Sequence, residues 1–166
     1  MEAEDVIELY KLFKENGIEV WIDGGWGIDA LLGKQTRPHN DLDIAIYHKD
    51  KPKLRKLLEE RGYKDIERGD TSDWNFVVVS GNKEIDTHVF EFDNDGNNIY
   101  GIEYPKDSLT GTGIINGVTV RCISLDYVIK FHENYEPKEK DFTDIKALCD
   151  KFGLELPKNY KKSQLH

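Results

Sequence analysis

The sequence predicts an α+β fold: a mixed β-sheet flanked by helices, with a short helical end at the C-terminus. Three observations carry that prediction. Apolar residues recur at helical spacing in some stretches and at every second position in others. Two turn signals, Ser80-Gly81-Asn82-Lys83 and Asn116-Gly117, lie between β-rich runs. Near the N-terminus a strand, a glycine pair and a short helix follow one another, a layout suited to a bound phosphate.

Taken in order, Val6, Leu9, Tyr10, Leu12 and Phe13 recur at helical spacing and Asn16-Gly17 ends the run, which predicts a helix over residues 5–16. Residues 18–22 read as a strand, Gly24-Gly25 as the turn leaving it, and Ile28, Leu31 and Leu32 as the apolar face of a short helix closed by Gly33. Residues 41–47 form the next strand. Asp50 and Pro52 open a helix carrying Leu54, Leu57 and Leu58 that ends near Gly62. The runs 75–79 and 84–90 are strands joined by a tight connection. The acidic run 93–98 lacks the closing glutamate of a calcium loop and reads as a surface turn. Residues 114–115 and 118–120 flank the type I′ signal Asn116-Gly117. Ser124 then caps a helix through Tyr127, Val128, Ile129 and Phe131, and a last helix over 139–152 presents Phe142, Ile145, Leu148 and Cys149 on one face before Gly153. Residues 1–123 are expected to form the core and 124–166 a helical segment packed on it.

Composition narrows the function. A chain of 166 residues with 38% hydrophobic content can bury a real core. Its net charge of -9 argues against a general nucleic-acid binder, which needs a basic stripe to displace phosphate counterions. An acidic surface accepts cationic partners instead. The two cysteines, Cys122 and Cys149, have neither zinc-site nor disulfide-framework spacing. No stretch reaches transmembrane length and the start Met1-Glu2-Ala3-Glu4-Asp5 lacks a signal-peptide pattern, so a cytoplasmic protein without membrane contact is expected.

The chemistry concentrates in His39-Asn40-Asp41-Leu42-Asp43-Ile44-Ala45-Ile46. In a strand, residues two apart share a face, so Leu42, Ile44 and Ile46 enter a core while Asp41 and Asp43 converge outside it. Two acids aimed at one point repel unless a cation lies between them, and Mg²⁺ is commonly held by one or two carboxylates plus substrate phosphates. Gly24 and Gly25 let backbone N–H groups approach a phosphate. Asp86, mid-strand in Glu84-Ile85-Asp86-Thr87-His88, is the best third acid, as metal ligand or proton acceptor. Glu84 and His88 share its face and either can orient it. Taken singly, His39, His88 and His132 read as hydrogen-bonded structural residues.

Together, Ile22-Asp23-Gly24-Gly25-Trp26-Gly27-Ile28-Asp29 and Thr36-Arg37-Pro38-His39-Asn40-Asp41-Leu42-Asp43 resemble the small antibiotic nucleotidyltransferases of the DNA polymerase β-like superfamily, with aminoglycoside and lincosamide nucleotidyltransferases nearest. Asp86, the run Val120–Ser124, and His132-Glu133-Asn134-Tyr135 with Asp141 and Asp144 extend the resemblance over most of the chain. It implies the nucleotidyltransferase fold and transfer of AMP from ATP to a drug hydroxyl, with release of pyrophosphate. Asp41 and Asp43 would hold Mg²⁺, and Asp86 would share a metal or act as general base. Gly24, Gly25 and Trp26 would line the triphosphate, and Arg37 and Lys140 would be phosphate partners. The chain is short beside family members with a full C-terminal helical domain, so a homodimer is one way to complete the acceptor pocket. An aminoglycoside acceptor is preferred slightly over a lincosamide because an acidic cleft attracts a polycation. The alternatives are nucleotidylation of a protein, as in a toxin–antitoxin pair, and a catalytically silent nucleotide-binding module; the intact acids oppose the second.

Overall fold

The computed structural model describes residues 1–162, beginning with helix α1 (Ala3–Glu15) and strand β1 (Val20–Ile22). At the start of α1 the Asp5 carboxylate accepts the Glu2 N–H at 3.0 Å, which satisfies one of the donors a first turn leaves orphaned. Helix α2 (Gly24–Leu32) comes next, then β2 (Asp41–Tyr47), α3 (Lys51–Glu59), β3 (Lys64–Ile66), β4 (Asn75–Ser80), β5 (Lys83–Phe92) and β6 (Asn98–Gly101). The hairpin β7 (Gly111–Ile115) and β8 (Val118–Cys122) leads into helices α4 (Leu125–His132), α5 (Glu139–Phe152) and α6 (Lys158–Lys162).

The strands form one mixed sheet in the order β3-β4-β5-β2-β1-β8-β7, with β6 also paired to β5. β2 and β5 run parallel over seven register pairs, from Asp41 opposite Glu84 to Tyr47 opposite Phe90. β5 is long enough to pair with β4 along its first half and with β6 beyond it. The period-2 pattern of the strands sorts side chains to two layers. On one face Leu42, Ile44, Ile46, Ile85 and Val89 pack against Val6, Leu9 and Phe13 of α1 and Leu54 and Leu58 of α3. On the other, Trp21, Ala45 and Phe90 pack against Val128 of α4, Ile145, Leu148 and Cys149 of α5, and Tyr160 of α6. α2 serves both layers: Trp26 and Ala30 join the first, Ile28 and Leu32 the second.

Most of the expected elements are present, and the departures have local causes. β1 is shorter than residues 18–22. Gly24 and Gly25 do not form a separate turn but are the first residues of α2, capped by Asp23, whose Oδ1 accepts the Gly24 N–H at 2.8 Å. Ser124 occupies the N-cap of α4, but its hydroxyl oxygen accepts no N–H of the helix; the hydroxyl donates to the Asp107 carbonyl instead. The strands β3 and β6 carry no apolar alternation because they are short and edge-lying, and α6 is anchored by the buried ring of Tyr160 and by Asn159, whose Nδ2 donates to the His132 and Tyr135 carbonyls. The Asn116-Gly117 hairpin forms with both residues at positive φ (47° and 75°), as a type I′ turn requires. The acidic run is a turn closed on itself, its Asp93 carboxylate accepting the N–H groups of Asp95 and Asn97.

Candidate active site

The site lies on the face of the sheet that carries the C-terminal helices, beyond the apolar cluster those helices cover. The parallel register sets Asp43 beside Asp86, Asp41 beside Glu84 and Ala45 beside His88. Asp23, just past the end of β1, joins them because its N–H donates to the Asp43 carbonyl at 2.9 Å. Side-chain oxygens of Asp43 and Asp86 and a ring nitrogen of His88 all fall within 4.8 Å of one another.

These groups are electrostatically coupled. Burial pushes the Asp43 carboxyl up to about 7, and the charges of Asp41, Asp23 and Asp86 push the same way against the opposing pull of His88. Burial lowers His88, but the carboxylates of Asp23 and Asp86 outweigh it and carry the imidazole up to about 10. His88 therefore sits as an imidazolium between two acids, 3.8 Å from Asp23 Oδ2 and 3.4 Å from Asp86 Oδ1. The Asp86 contact is an ion pair without hydrogen-bond alignment, and Asp86 Oδ1 is buried with no hydrogen-bond partner. Tyr104 braces the group: its hydroxyl donates to Asp23 Oδ2 at 2.6 Å and stands 3.1 Å from His88 Nδ1.

The donor set suits a hard divalent cation. Oxygens of Asp43 and Asp86 come together, Asp43 is pushed toward protonation chiefly by burial with the neighbouring acids adding to it, and a buried carboxylate oxygen on Asp86 is unsatisfied. His88 is held protonated, so it is a poor ligand and a better orienting cation. Sequence reasoning placed His88 on the Asp86 face but read it, taken singly, as structural; its two-residue offset from Asp86 was the available signal. It missed Asp23 and Tyr104. Asp23 follows directly from β1 and precedes the glycine pair, whereas nothing local marked Tyr104. Glu84 does not orient Asp86, because Arg68 engages it instead.

In front of the acids a cleft of about 450 Å³ is floored by Gly24, Gly25 and Gly27 and walled by Arg37, Asp41, Asp43 and His88. The C-terminal helices and the loop between them supply Phe131, His132, Tyr135 and Lys140 on the opposite side. The glycines make room for protein as well as for ligand. A Cβ on Gly24 would lie 2.1 Å from Asp43 Oδ2, and one on Gly25 would lie 2.4 Å from the His39 ring. Apart from the Gly24 N–H, which the Asp23 carboxylate takes, the first N–H groups of α2 have no carbonyl one turn back, so the helix presents donors and a positive dipole end to the cleft.

The other expected residues divide. Lys140 lines the cleft and makes no ion pair among the described residues, which leaves its ammonium available. Arg37 also lines it, but its guanidinium is committed to the buried Asp144, with Nη2 to Oδ2 at 2.8 Å and Nε to Oδ1 at 3.1 Å. Trp26 does not face the cleft: it is 1% exposed and its ring packs on His39 below the floor. His39 is structural, bonded to the buried Asp29 at 2.5 Å, and Asp29 also accepts from the Thr36 N–H and hydroxyl. That network ties the segment carrying Arg37 to α2. His132 bonds the Val128 carbonyl within its own helix at 2.7 Å.

A mixed sheet that brings aspartates from two parallel strands beside a glycine-started helix defines a nucleotidyltransferase, an enzyme that moves a nucleoside monophosphate. The sequence specifies it further: the model of the aminoglycoside-2''-adenylyltransferase family matches residues 5–148, and the chain belongs to that family. A lincosamide resistance protein of Staphylococcus haemolyticus is 32% identical over 155 residues, which cover 87% of this chain and 92% of that protein. A 2''-aminoglycoside nucleotidyltransferase of Escherichia coli is 29% identical over 134 residues, 78% of this chain and 73% of the relative. Among solved structures, the lincomycin-bound lincosamide adenylyltransferase LnuA superposes with a TM-score of 0.75 at 28% identity, over 87% of this chain and 94% of that one. ANT(2'')-Ia in complex with adenylyl-2''-tobramycin shares the fold, with a TM-score of 0.71 at 24% identity over 91% and 89% of the two chains. The relatives are thus antibiotic nucleotidyltransferases of two kinds.

Proposed function

We propose that this enzyme transfers AMP from ATP to a hydroxyl of an antibiotic, an aminoglycoside or a lincosamide, and releases pyrophosphate. The observation that carries the reading is the register pairing of Asp43 with Asp86, which brings two carboxylates together in a buried setting; burial first, and the charges of Asp41, Asp23 and Asp86 after it, push Asp43 up to about 7. Asp41, Asp43 and Asp86 would hold Mg²⁺, which when bound neutralises charge on the triphosphate. The N–H groups of the first turn of α2 beyond Gly24 and the ammonium of Lys140 bind phosphate oxygens in the cleft. The acceptor hydroxyl oxygen bonds to the α-phosphorus as the bond to the β-phosphate oxygen breaks, and pyrophosphate leaves with its electron pair. Asp86 takes the hydroxyl proton, and the imidazolium of His88 beside it fixes its orientation. Arg37 acts on the cleft through Asp144, joining α5 to the loop before β2.

In this reading residues 1–123 supply the acids and the phosphate floor, and 124–166 supply Lys140 and the far wall. Among the described residues no helix is long and apolar enough to cross a membrane, and a cytoplasmic site of action supplies the ATP. The test is pyrophosphate release from ATP and Mg²⁺ with a panel of aminoglycosides and lincosamides. Transfer to at least one is expected. Silence across the panel despite tight ATP binding would favour a protein acceptor or a non-catalytic module.

A further inference from the structure

Helix α5 runs alongside α2 in the same direction. Lys140 in its first turn lines the cleft with Gly24 and Gly25 of the first turn of α2, while Lys151 in its last turn touches the other end of α2. The last four carbonyls of a helix have no partner within it. At the end of α2 the Gly33 N–H donates to two of them, Asp29 at 2.8 Å and Ala30 at 3.2 Å. Lys151 Nζ reaches across from α5 and donates to the two that remain, Leu31 at 3.0 Å and Leu32 at 2.8 Å. Among the described residues these are the only side-chain hydrogen bonds between the two helices. Their other meeting ground is the apolar cluster that holds Ile28, Leu32, Ile145 and Leu148. Apolar burial has no direction. It presses α5 onto α2 without setting how far along α2 it sits.

We propose that Lys151 is a positioning residue for the nucleotide: it fixes the axial register of α5 against α2, and so the distance between the Lys140 ammonium and the N–H groups that floor the cleft. The inference rests on the reading above, in which those two groups hold one triphosphate. Lys140, Asp144, Ala147 and Lys151 follow the spacing i, i+4, i+7, i+11 and share one stripe of α5. Within that stripe Asp144 holds Arg37, in the loop after α2, and Lys151 holds the end of α2 itself. A helix is a stiff rod, so a shift at Lys151 reaches Lys140. Direct attraction between Lys151 and the phosphates is not the cause. About 16 Å of helix separates it from Lys140, roughly two Debye lengths at about 0.15 M salt.

The test is calorimetric titration of the full chain with Mg²⁺ and the α,β-methylene analogue of ATP, which binds without transfer, at about 0.15 M salt. Lys140→Met should raise Kd about tenfold, the size of one charge-assisted contact. Lys151 is exposed, so its substitution leaves the core intact. Lys151→Met should raise Kd about fivefold, Lys151→Arg should restore it, and in the Lys140→Met background Lys151→Met should change nothing further. Its loss of a helix cap should lower Tm by about 2–4 °C in both backgrounds. A Lys151→Met chain that loses Tm and keeps its Kd makes Lys151 a helix cap alone and overturns the proposal. An equal rise in Kd with and without Lys140 overturns it too, because the effect would not pass through Lys140. Absence of binding to the unaltered chain removes the nucleotide site and this inference together. Binding that obeys the pattern while no acceptor supports pyrophosphate release leaves the positioning role standing and sinks the transfer reading alone.

Discussion

Replacing Gly24 by alanine tests whether the glycine at the start of α2 exists for the carboxylate behind it. Gly24 has a φ of +55°, and an added Cβ would lie 2.1 Å from Asp43 Oδ2 and 2.8 Å from its Cγ. The side chain of Asp43 must retreat by about 0.9 Å merely to reach 3.0 Å, and misplacing a reacting group by about 1 Å costs on the order of 100-fold in rate. The backbone cost is separable. Gly117 has a φ of +75° with no atom within 4 Å of an added Cβ, so Gly117→Ala carries the left-handed strain and no collision. That strain is about 1 kcal/mol, equivalent to a fall in Tm of about 2–4 °C for a chain of this size. Both variants are therefore expected to lose a few degrees by scanning calorimetry, and only Gly24→Ala is expected to lose about 100-fold in kcat/KM by pyrophosphate release. Near-normal turnover in Gly24→Ala, or an equal loss in Gly117→Ala, would refute the claim that Gly24 makes room for Asp43.

Asp43→Asn should abolish transfer with the fold intact, since a metal ligand is lost and packing is not. In metal-free buffer it should also change the pH dependence of stability. The Asp43 carboxyl is raised from 3.8 to about 7, so its ionisation opposes folding, increasingly as pH rises between those values. The wild type should lose Tm relative to Asp43→Asn across that interval, and Mg²⁺ should reverse the loss; parallel melting curves would count against the assignment. Arg37→Met leaves Asp144, whose side chain is 4% exposed, charged and unpaired, and should cost about 3 kcal/mol in denaturant unfolding, whereas an unchanged midpoint would make the pair incidental. Tyr104→Phe removes the hydroxyl that bonds Asp23 at 2.6 Å and braces His88. It should lower kcat about tenfold with little change in KM for ATP, and a change confined to KM would place Tyr104 in nucleotide binding instead.

Much of this site is written locally. The two-residue period decided that Asp41 and Asp43 would leave the core face that Leu42, Ile44 and Ile46 enter, and that His88 would share a face with Asp86. Those statements follow from strand geometry alone and need no partner strand. The helices α1, α3 and α5 and the Asn116-Gly117 hairpin were legible for the same reason, since capping, spacing and turn chemistry are properties of short windows. Where the windows were short or polar, as in β3, β6 and α6, no pattern existed to read.

The tertiary structure decided who meets whom. Parallel pairing of β2 with β5 sets Asp43 against Asp86, and a slip of one residue would have turned one of them into the core. Arg37 looked available for phosphate until Asp144, 107 positions away, claimed it. Trp26 looked like a wall of the cleft, but α2 turns it under the floor. Tyr104 and Asp23 complete the site only because β1 and the segment after β6 converge on His88. Sequence by itself fixed the direction of each side chain within its element and so identified the acids. Their register, partners and protonation depend on packing between elements far apart in the chain, and only the folded sheet could decide them.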